Sequence, residues 1–435
     1  MQPMATAAEP LVVDDRFEQG AFGDTAAAHR PAGRLAVIRS PPLWLIASVL
    51  AEFYAFWIAA RLMVGDVLSF VHIGQKFLGA SDSSPEISSI DRWQSAVGYD
   101  GQFYYFLAVD PLRAHEYIGE FAGYVYSRPL YPALSSLLGL GRADAVAYSM
   151  LAINLVAVMA TTLGLAVWLR RHGVSPWLSL VYGTSPAVVF SVFRDLTEPL
   201  AYALVLGGFL LFDPRRRNRL IASAAVFALA VLTRETVAVF PAVCALALLA
   251  GWPEPRRRNF AVLRRWALAF AFVAAAVLPL FLWRGLLLLW LETTTQERPG
   301  DPTTLVIPFY GLLSRWPWSP SSLIIVGALA VPTLATLFAA RHLLRRVSSG
   351  TLVAALLLVN ALCFVVFVPA PISIDYGAAG RSAIGVLLAA LLCIPFLSAR
   401  GSSRRLAVSI AFLWSYGWYV IVCGVSGESP LTVFG

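Results

Sequence analysis

Arginine residues collect at every second turn between the long apolar segments of this chain, and this alternation limits its fold more than any other feature. The turns in between carry acidic residues with isolated arginines among them. The arginine clusters are Arg30/Arg34/Arg39, Arg170/Arg171, Arg215/Arg216/Arg217/Arg219, Arg256/Arg257/Arg258 with Arg264/Arg265, Arg341/Arg345/Arg346 and Arg400/Arg404/Arg405. Turns rich in arginine face the cytoplasm by the positive-inside rule, so we expect the acidic turns to face outward.

Composition agrees with a protein that spans a membrane several times. With 58% hydrophobic and 13% charged residues, the chain cannot form one soluble core without large exposed apolar faces. The net charge of +8 is better explained by membrane orientation and anionic lipid headgroups than by a nucleic acid partner. The four cysteines are isolated in apolar runs, so neither a disulfide framework nor a zinc site is expected. We predict no cofactor, and no ligand motif indicates a divalent metal.

The apolar segments predict an all-α bundle of about eleven transmembrane helices, with the N-terminus inside and the C-terminus outside. Residues 1–40 are expected to form a disordered cytoplasmic tail, and 41–435 a transmembrane domain in which 66–142 is a long extracytoplasmic loop. The proline-broken segment 129–140 is too short to cross and is interpreted as re-entrant or interfacial. The predicted spans are 43–64, 143–169, 176–193, 196–212, 219–233, 236–252, 266–283, 322–340, 350–368, 382–398 and 406–424.

The long outer loop carries the first candidate for chemistry. Asp100 has Gly98 and Gly101 on either side and precedes an aromatic run that begins at Phe103. This pattern places a carboxylate at the start of a segment suited to the membrane interface, where it can reach both water and a lipid headgroup. An acid that caps a surface helix would leave the same pattern in the sequence.

Two hairpin tips carry the other candidates, Arg194–Pro199 and Arg234–Glu235. In the first tip, the spacing of Asp195 and Glu198 fits a capping box, so these acids could cap a helix, form a site, or do both. Three further arginines are expected on the outer side, where a planar donor fork suits a phosphate and also anchors headgroups: Arg128, Arg284 and Arg381.

Glu52 stands apart because it lies midway along the first predicted span. An ionisable group at that depth must be paired, protonated or directed into a cavity. It is the feature that most favours a transporter, although a structural hydrogen bond would also account for it.

Four segments resemble bacterial polytopic membrane proteins of the GT-C glycosyltransferase superfamily, distantly similar to the GPI mannosyltransferases. They are Gly98–Tyr105 (GYDGQFYY), Arg128–Pro132 (RPLYP), Arg194–Pro199 (RDLTEP) and Leu232–Thr236 (LTRET). The resemblance covers most of the membrane region, from about residue 43 to 400, and is strongest through the first six spans. The chain departs from the Trp-Asp pair of some GT-C enzymes, because Tyr precedes the acid here.

The resemblance implies an inverting transfer of a sugar from a polyprenyl-phosphate donor on the outer face of the bacterial plasma (inner) membrane. In that superfamily the catalytic acid lies in the first extracytoplasmic loop, and Asp100 is the matching position. Asp100 would accept the proton of the acceptor hydroxyl as general base. Mannose is the default sugar, and a lipid or glycan of the cell envelope is the expected acceptor. The residues expected to bind substrate are Tyr99, Gln102, Tyr104, Arg128, Arg194, Asp195, Glu198, Arg234, Glu235, Arg284 and Arg381.

Two other classes of function remain open at this stage. A transporter or lipid flippase would use the same cavity without breaking a bond, and it predicts ionisable groups at mid-membrane depth and inverted repeats. A non-catalytic scaffold for envelope assembly would leave the outward acids without a defined mutual geometry. The spatial arrangement of the acids around Asp100 therefore discriminates among the three.

Overall fold

The computed structural model describes most of the first two thirds of the chain and parts of the remainder. The described residues are 41–75, 97–250, 259–291, 334, 337, 338, 340, 341, 343, 349–363 and 380–397. They belong to one unit that extends from Ser40 to Gly435. The predicted tail 1–40 and the predicted span 406–424 lie outside the described residues, as does most of the predicted span 322–340.

Four helices are long and apolar enough to cross a membrane, which indicates a membrane protein. They comprise Leu43–Leu62, Ala143–Arg171, Val262–Leu291 and Gly380–Leu397. Each coincides with a span predicted from hydropathy, because about 20 apolar residues in helical conformation match the ~30 Å hydrocarbon thickness. Other apolar helices have 10–17 residues and fall below that length: Leu130–Gly139, Glu198–Leu211, Glu235–Leu249 and Gly350–Ala361.

The described part of the outer loop is helical and lies between the first two long helices. Its segments on either side of 76–96 are joined by an isolated antiparallel bridge between Ile73 and Gly98, and the described residues contain no strand. The helices of this half are α1 (Leu43–Leu62), α2 (Leu68–Val71), α3 (Asp100–Val109), α4 (Ala114–Ile118), α5 (Ala122–Tyr126), α6 (Leu130–Gly139) and α7 (Ala143–Arg171).

The second half continues with helices that, apart from α13, are shorter than α7. They are α8 (Leu180–Gly183), α9 (Pro186–Val192), α10 (Glu198–Leu211), α11 (Arg217–Thr233), α12 (Val239–Leu249), α13 (Asn259–Leu291), α14 (Ser349–Ala361) and α15 (Ile384–Leu397). Helix α7 contacts α1, α3, α6, α10 and α15, so it forms the centre of the described bundle. Helix α11 packs between α10 and α13, and α14 packs against α15. This packing brings the start of α3, the tip before α10 and the start of α15 together.

Two predicted spans differ from the observed helices. The predicted span 176–193 is interrupted, because Pro186 cannot donate a backbone hydrogen bond and Ser185 before it is extended. The predicted span 266–283 ends too early, since α13 is one helix of 33 residues. At ~1.5 Å per residue it is about 50 Å long. Its last turns pack against α5, where the Trp283 indole donates to the Tyr126 carbonyl at 2.6 Å.

Candidate functional site

Asp100 is the first residue of α3 and follows the N-cap residue. The N-cap position belongs to Tyr99, which makes no side-chain capping hydrogen bond. The Asp100 carboxylate is buried and pairs with the Arg381 guanidinium, with Nη1 donating to Oδ2 at 3.3 Å. This contact joins the outer loop to a residue 281 positions away, just before α15. The carboxylate at the start of α3 therefore takes part in a long-range ion pair.

Glu198 extends this arrangement into a chain of four charges. Its Oε1 lies 3.4 Å from Nε of Arg381 and 3.0 Å from Nη1 of Arg234. The order Asp100–Arg381–Glu198–Arg234 alternates in sign and connects four separate segments of the sequence. Neither oxygen of Glu198 makes an aligned hydrogen bond among the described residues, although the ion pairs are close. The buried carboxylate therefore keeps unused acceptor capacity.

Asp195 does not form the capping box that its spacing with Glu198 allows. Helix α10 has Thr197 at its N-cap with no side-chain capping bond, and Pro199 occupies the first turn. Asp195 has a left-handed backbone, with φ at 46°, and it is completely buried beside the Asn154 amide. Burial raises the pKa of the Asp195 carboxyl well above its usual range. Its side chain thus belongs to the protein interior behind the charge chain.

Arg128 and Glu235 form a second, fully bonded cluster. Nε and Nη2 of Arg128 donate to the two carboxylate oxygens of Glu235 at 2.8 and 2.6 Å. Nη1 donates to the hydroxyls of Tyr104 and Tyr124, each at 2.7 Å. Burial acts to raise the pKa of Glu235, but the Arg128 charge outweighs burial and lowers this pKa to about 2. The Glu235 carboxylate is therefore ionised and hydrogen-bonded to Arg128.

Arg194 lies against the turn that follows α2. Its Nη1 is 3.0 Å from Nδ1 of His72, which has a left-handed backbone with φ at 58°. Burial lowers the pKa of His72 to about 3, and the charges of Arg194 and Arg61 lower it further. His72 is consequently neutral at physiological pH.

Tyr99 and Gln102 differ in what they contact. The Tyr99 ring lies 5.2 Å from the Arg381 guanidinium carbon, so it borders the charge chain. Gln102 instead clamps the two segments of the loop, since its amide accepts from Gly74 N at 2.9 Å and donates to Val97 O at 3.1 Å. Both groups of the Gln102 amide are engaged with the backbone, which is a positioning role for α3.

Arg284 is not placed in an outer turn as expected, because it lies within α13. Its Nε is buried without a hydrogen-bond partner among the described residues. The described ion pairs of the charge chain and of the Arg128 cluster do not include it. The prediction missed this because the arginine and the nearby tryptophans were taken to mark the end of a span, whereas leucines 286–289 continue the helix.

Three residues of the candidate site were not predicted from the sequence: Arg61, His72 and Tyr124. Arg61 lies in the last turn of α1 and is buried. A signal for it was present, because a lone arginine at the predicted outer end of a span runs against the positive-inside bias. No comparable signal exists for His72 or Tyr124, whose roles depend on contacts with residues 122 and four positions away.

Glu52 lies exposed on α1 and does not face the interior of the described bundle. Groups of three or more histidine, cysteine or acidic side chains able to hold a metal do not occur in the described part of the chain.

No protein-family model, curated protein or solved structure matches this chain. The roles of these residues therefore rest on their arrangement and chemistry. That arrangement pairs Asp100 with an arginine whose guanidinium lies over the Tyr99 ring.

Proposed function

We propose that this chain is an integral membrane glycosyltransferase of the GT-C type, which transfers a hexose from a polyprenyl-phosphate donor to a cell-envelope acceptor. The observation that carries the proposal is the buried Asp100–Arg381 pair, continued by Glu198 and Arg234. A carboxylate beside guanidinium groups supplies both a proton acceptor and cations for a phosphate. Sugar nucleotides are not available outside the cytoplasm, so transfer there requires a lipid-linked donor.

The proposed reaction is a single inverting displacement. Asp100 takes the proton of the acceptor hydroxyl, whose oxygen then bonds to the anomeric carbon of the sugar. The bond from that carbon to the phosphate oxygen breaks, and the polyprenyl phosphate leaves with the electron pair. Arg381 and Arg234 stabilise the negative charge on the leaving group, and Glu198 orients both arginines through its ion pairs. Mannose is the first sugar to test.

The proposal includes a topology with eleven crossings, the N-terminus in the cytoplasm and the site on the outer face of the bacterial plasma membrane. Reporters fused after Gly173 or Asn259 are expected in the cytoplasm, and one in 291–320 is expected outside. A cytoplasmic signal from 291–320 would contradict a shared outer face for the acidic turns.

The test of the activity is turnover by the purified, detergent-solubilised Asp100→Asn variant with a labelled polyprenyl-phosphate sugar. Asn keeps the shape of the side chain but cannot accept the proton, so turnover is expected to fall roughly 10²-fold or more. Asp144→Asn is the matched control, because Asp144 is exposed and pairs only with Arg142 in the described structure.

The two variants should fold equally well, as judged by thermal unfolding and chromatographic profile. Wild-type turnover in a well-folded Asp100→Asn protein would refute the catalytic role of this acid. A transport assay with the same lipid would then be the next experiment.

A further inference from the structure

Arg61 is a buried guanidinium whose partners among the described residues carry no charge. Its side chain is 3% exposed, and it donates to the hydroxyl and the carbonyl of Ser69 at 3.0 and 2.5 Å. Its Nη1 is buried and has no hydrogen-bond partner among the described residues. A buried positive charge without an opposite charge is costly, particularly at membrane depth. Arg61 thus differs from Arg128 and Arg381, which pair with carboxylates.

Two further basic side chains lie within electrostatic reach of Arg61. His72 senses the charges of both Arg61 and Arg194. Because an arginine only donates, the 3.0 Å contact from Arg194 makes His72 Nδ1 the acceptor. The ring proton of the neutral histidine is therefore on Nε2, which is a donor. The three side chains supply donors and positive charge from three separate segments.

Aromatic rings hold these segments together. The Arg61 guanidinium carbon lies 5.6 Å from the centre of the Phe70 ring, and Phe70 packs against Phe193 at 5.2 Å. Phe193 immediately precedes Arg194, so this ring pair connects the segment of Arg61 with that of Arg194. The cluster is preformed by packing and does not need a ligand to assemble.

The cluster also borders the start of α3. A methyl group added to Gly101 would overlap the carbonyl oxygen of Arg194 and would lie 3.1 Å from that of Val71. Asp100 and the cluster are thus joined through backbone contact. An anion held by the cluster would lie beside the segment that carries the proposed base.

We propose that Arg61, His72 and Arg194 bind a phosphate group. The Nη1 of Arg61, the Arg194 guanidinium and the imidazole Nε2 donor match the several acceptor oxygens of a phosphate, and the two arginines supply positive charge. The identity of the ligand as the phosphate of the polyprenyl-linked donor rests on the proposed function. Arg61, whose described partners are both from Ser69, adds a positive charge to those that Arg234 and Arg381 supply.

The experiment is ligand-induced thermal stabilisation of the purified full-length protein, titrated with each of three probes. The probes are a polyprenyl phosphate without sugar, the polyprenol of the same length, and inorganic phosphate. The polyprenyl phosphate is expected to stabilise the wild-type protein and the polyprenol to have little effect, because a ligand that binds the folded state raises its stability. Stabilisation by inorganic phosphate alone would identify a soluble phosphate as the ligand.

The variant Arg61→Gln is expected to raise the apparent Kd for polyprenyl phosphate by about 10- to 100-fold, the range for a lost charge-assisted hydrogen bond. The matched control is Arg142→Gln, since Arg142 is exposed and outside the cluster. A folded Arg61→Gln protein with an unchanged Kd would overturn the proposal and leave Arg61 a structural role.

A second variant, His72→Asn, covers the case in which Arg61→Gln does not fold. Asn tolerates the left-handed backbone and can still accept from Arg194, but it lacks the Nε2 donor. Its Kd is expected to rise about tenfold, and an unchanged Kd would count against the site. The binding test does not depend on the turnover test. If Asp100→Asn kept full turnover, a weaker Kd in the Arg61 and His72 variants would still support the phosphate site.

Discussion

The two hairpin tips resemble each other in sequence but differ in how their acids are bonded. At the tip before α10, Glu198 is shared between two arginines without an aligned hydrogen bond among the described residues. At the tip before α12, Glu235 receives two short hydrogen bonds from one arginine. That arginine uses its remaining Nη1 on two tyrosine hydroxyls.

Glu198 can therefore still accept hydrogen bonds from a ligand, whereas each oxygen of Glu235 already accepts one from Arg128. A carboxylate with all its bonds made is worth most to stability, since removing it leaves a buried charge without compensation. A carboxylate in close but poorly aligned ion pairs can exchange them for contacts with a substrate. We expect the second tip to stabilise the fold and the first to serve the chemistry.

The largest effect on stability is expected from Glu235→Gln. It removes the charge that balances buried Arg128, so the free energy of unfolding should fall by about 3–5 kcal/mol. Thermal and denaturant unfolding in detergent measure this. Glu116→Gln is the matched control, because Glu116 pairs with Arg113 on the surface. Equal stability of the two variants would show that the Glu235 carboxylate does not stabilise the fold.

Glu198→Gln is expected to affect turnover more than stability. Turnover with a polyprenyl-phosphate sugar should fall about 10²-fold, because Arg234 and Arg381 lose the group that orients them. Its destabilisation should be smaller than that of Glu235→Gln, since no aligned hydrogen bond is lost among the described residues. A Glu198→Gln protein with normal turnover would remove the distinction between the tips.

Tyr104→Phe tests whether the hydroxyls around Arg128 stabilise the fold or bind substrate. The variant loses one acceptor for Nη1, so stability should fall by about 1–2 kcal/mol with the KM for donor unchanged. Tyr124→Phe should behave alike, and the double variant measures their coupling. A raised KM with normal stability would restore Tyr104 as a substrate-binding residue, as the sequence predicted.

A pH dependence is expected from His72, which contacts Arg194 of the first tip. The pKa of His72 is lowered to about 3, so the folded protein resists protonation that the unfolded chain accepts below ~6.5. His72 therefore adds stability above pH ~6.5, and this is lost as the pH falls, by at most about 1.4 kcal/mol per pH unit. Thermal unfolding of wild type and His72→Asn between pH 7 and 4 should diverge accordingly. Parallel curves would exclude this contribution.

Hydropathy predicted the long helices well, because a run of about 20 apolar residues has few alternatives in a bilayer. It was weaker where a helix is interrupted or prolonged. Pro186 divides one predicted span, and leucines beyond Arg284 extend another. Both outcomes depend on local chemistry that a hydropathy window averages out.

The candidate site was only partly predictable. Patterns around Asp100 and Glu198 marked them as a site or as caps, and the structure brings both to Arg381. Sequence spacing could not separate those alternatives, since capping and ion pairing use the same residue types. The contact between His72 and Arg194 spans 122 positions and has no signature in a single sequence.

The packing of Gly101 against Arg194 also bears on how this protein tolerates mutation. Apolar positions that face lipid accept many substitutions, because they need only remain apolar. Gly101 accepts none without moving the backbone of a hairpin tip more than 90 positions away. A substitution there would displace both the proposed base and the proposed phosphate cluster at once. We therefore expect a substitution at Gly101 to be tolerated far less than an apolar substitution on a lipid-facing helix surface.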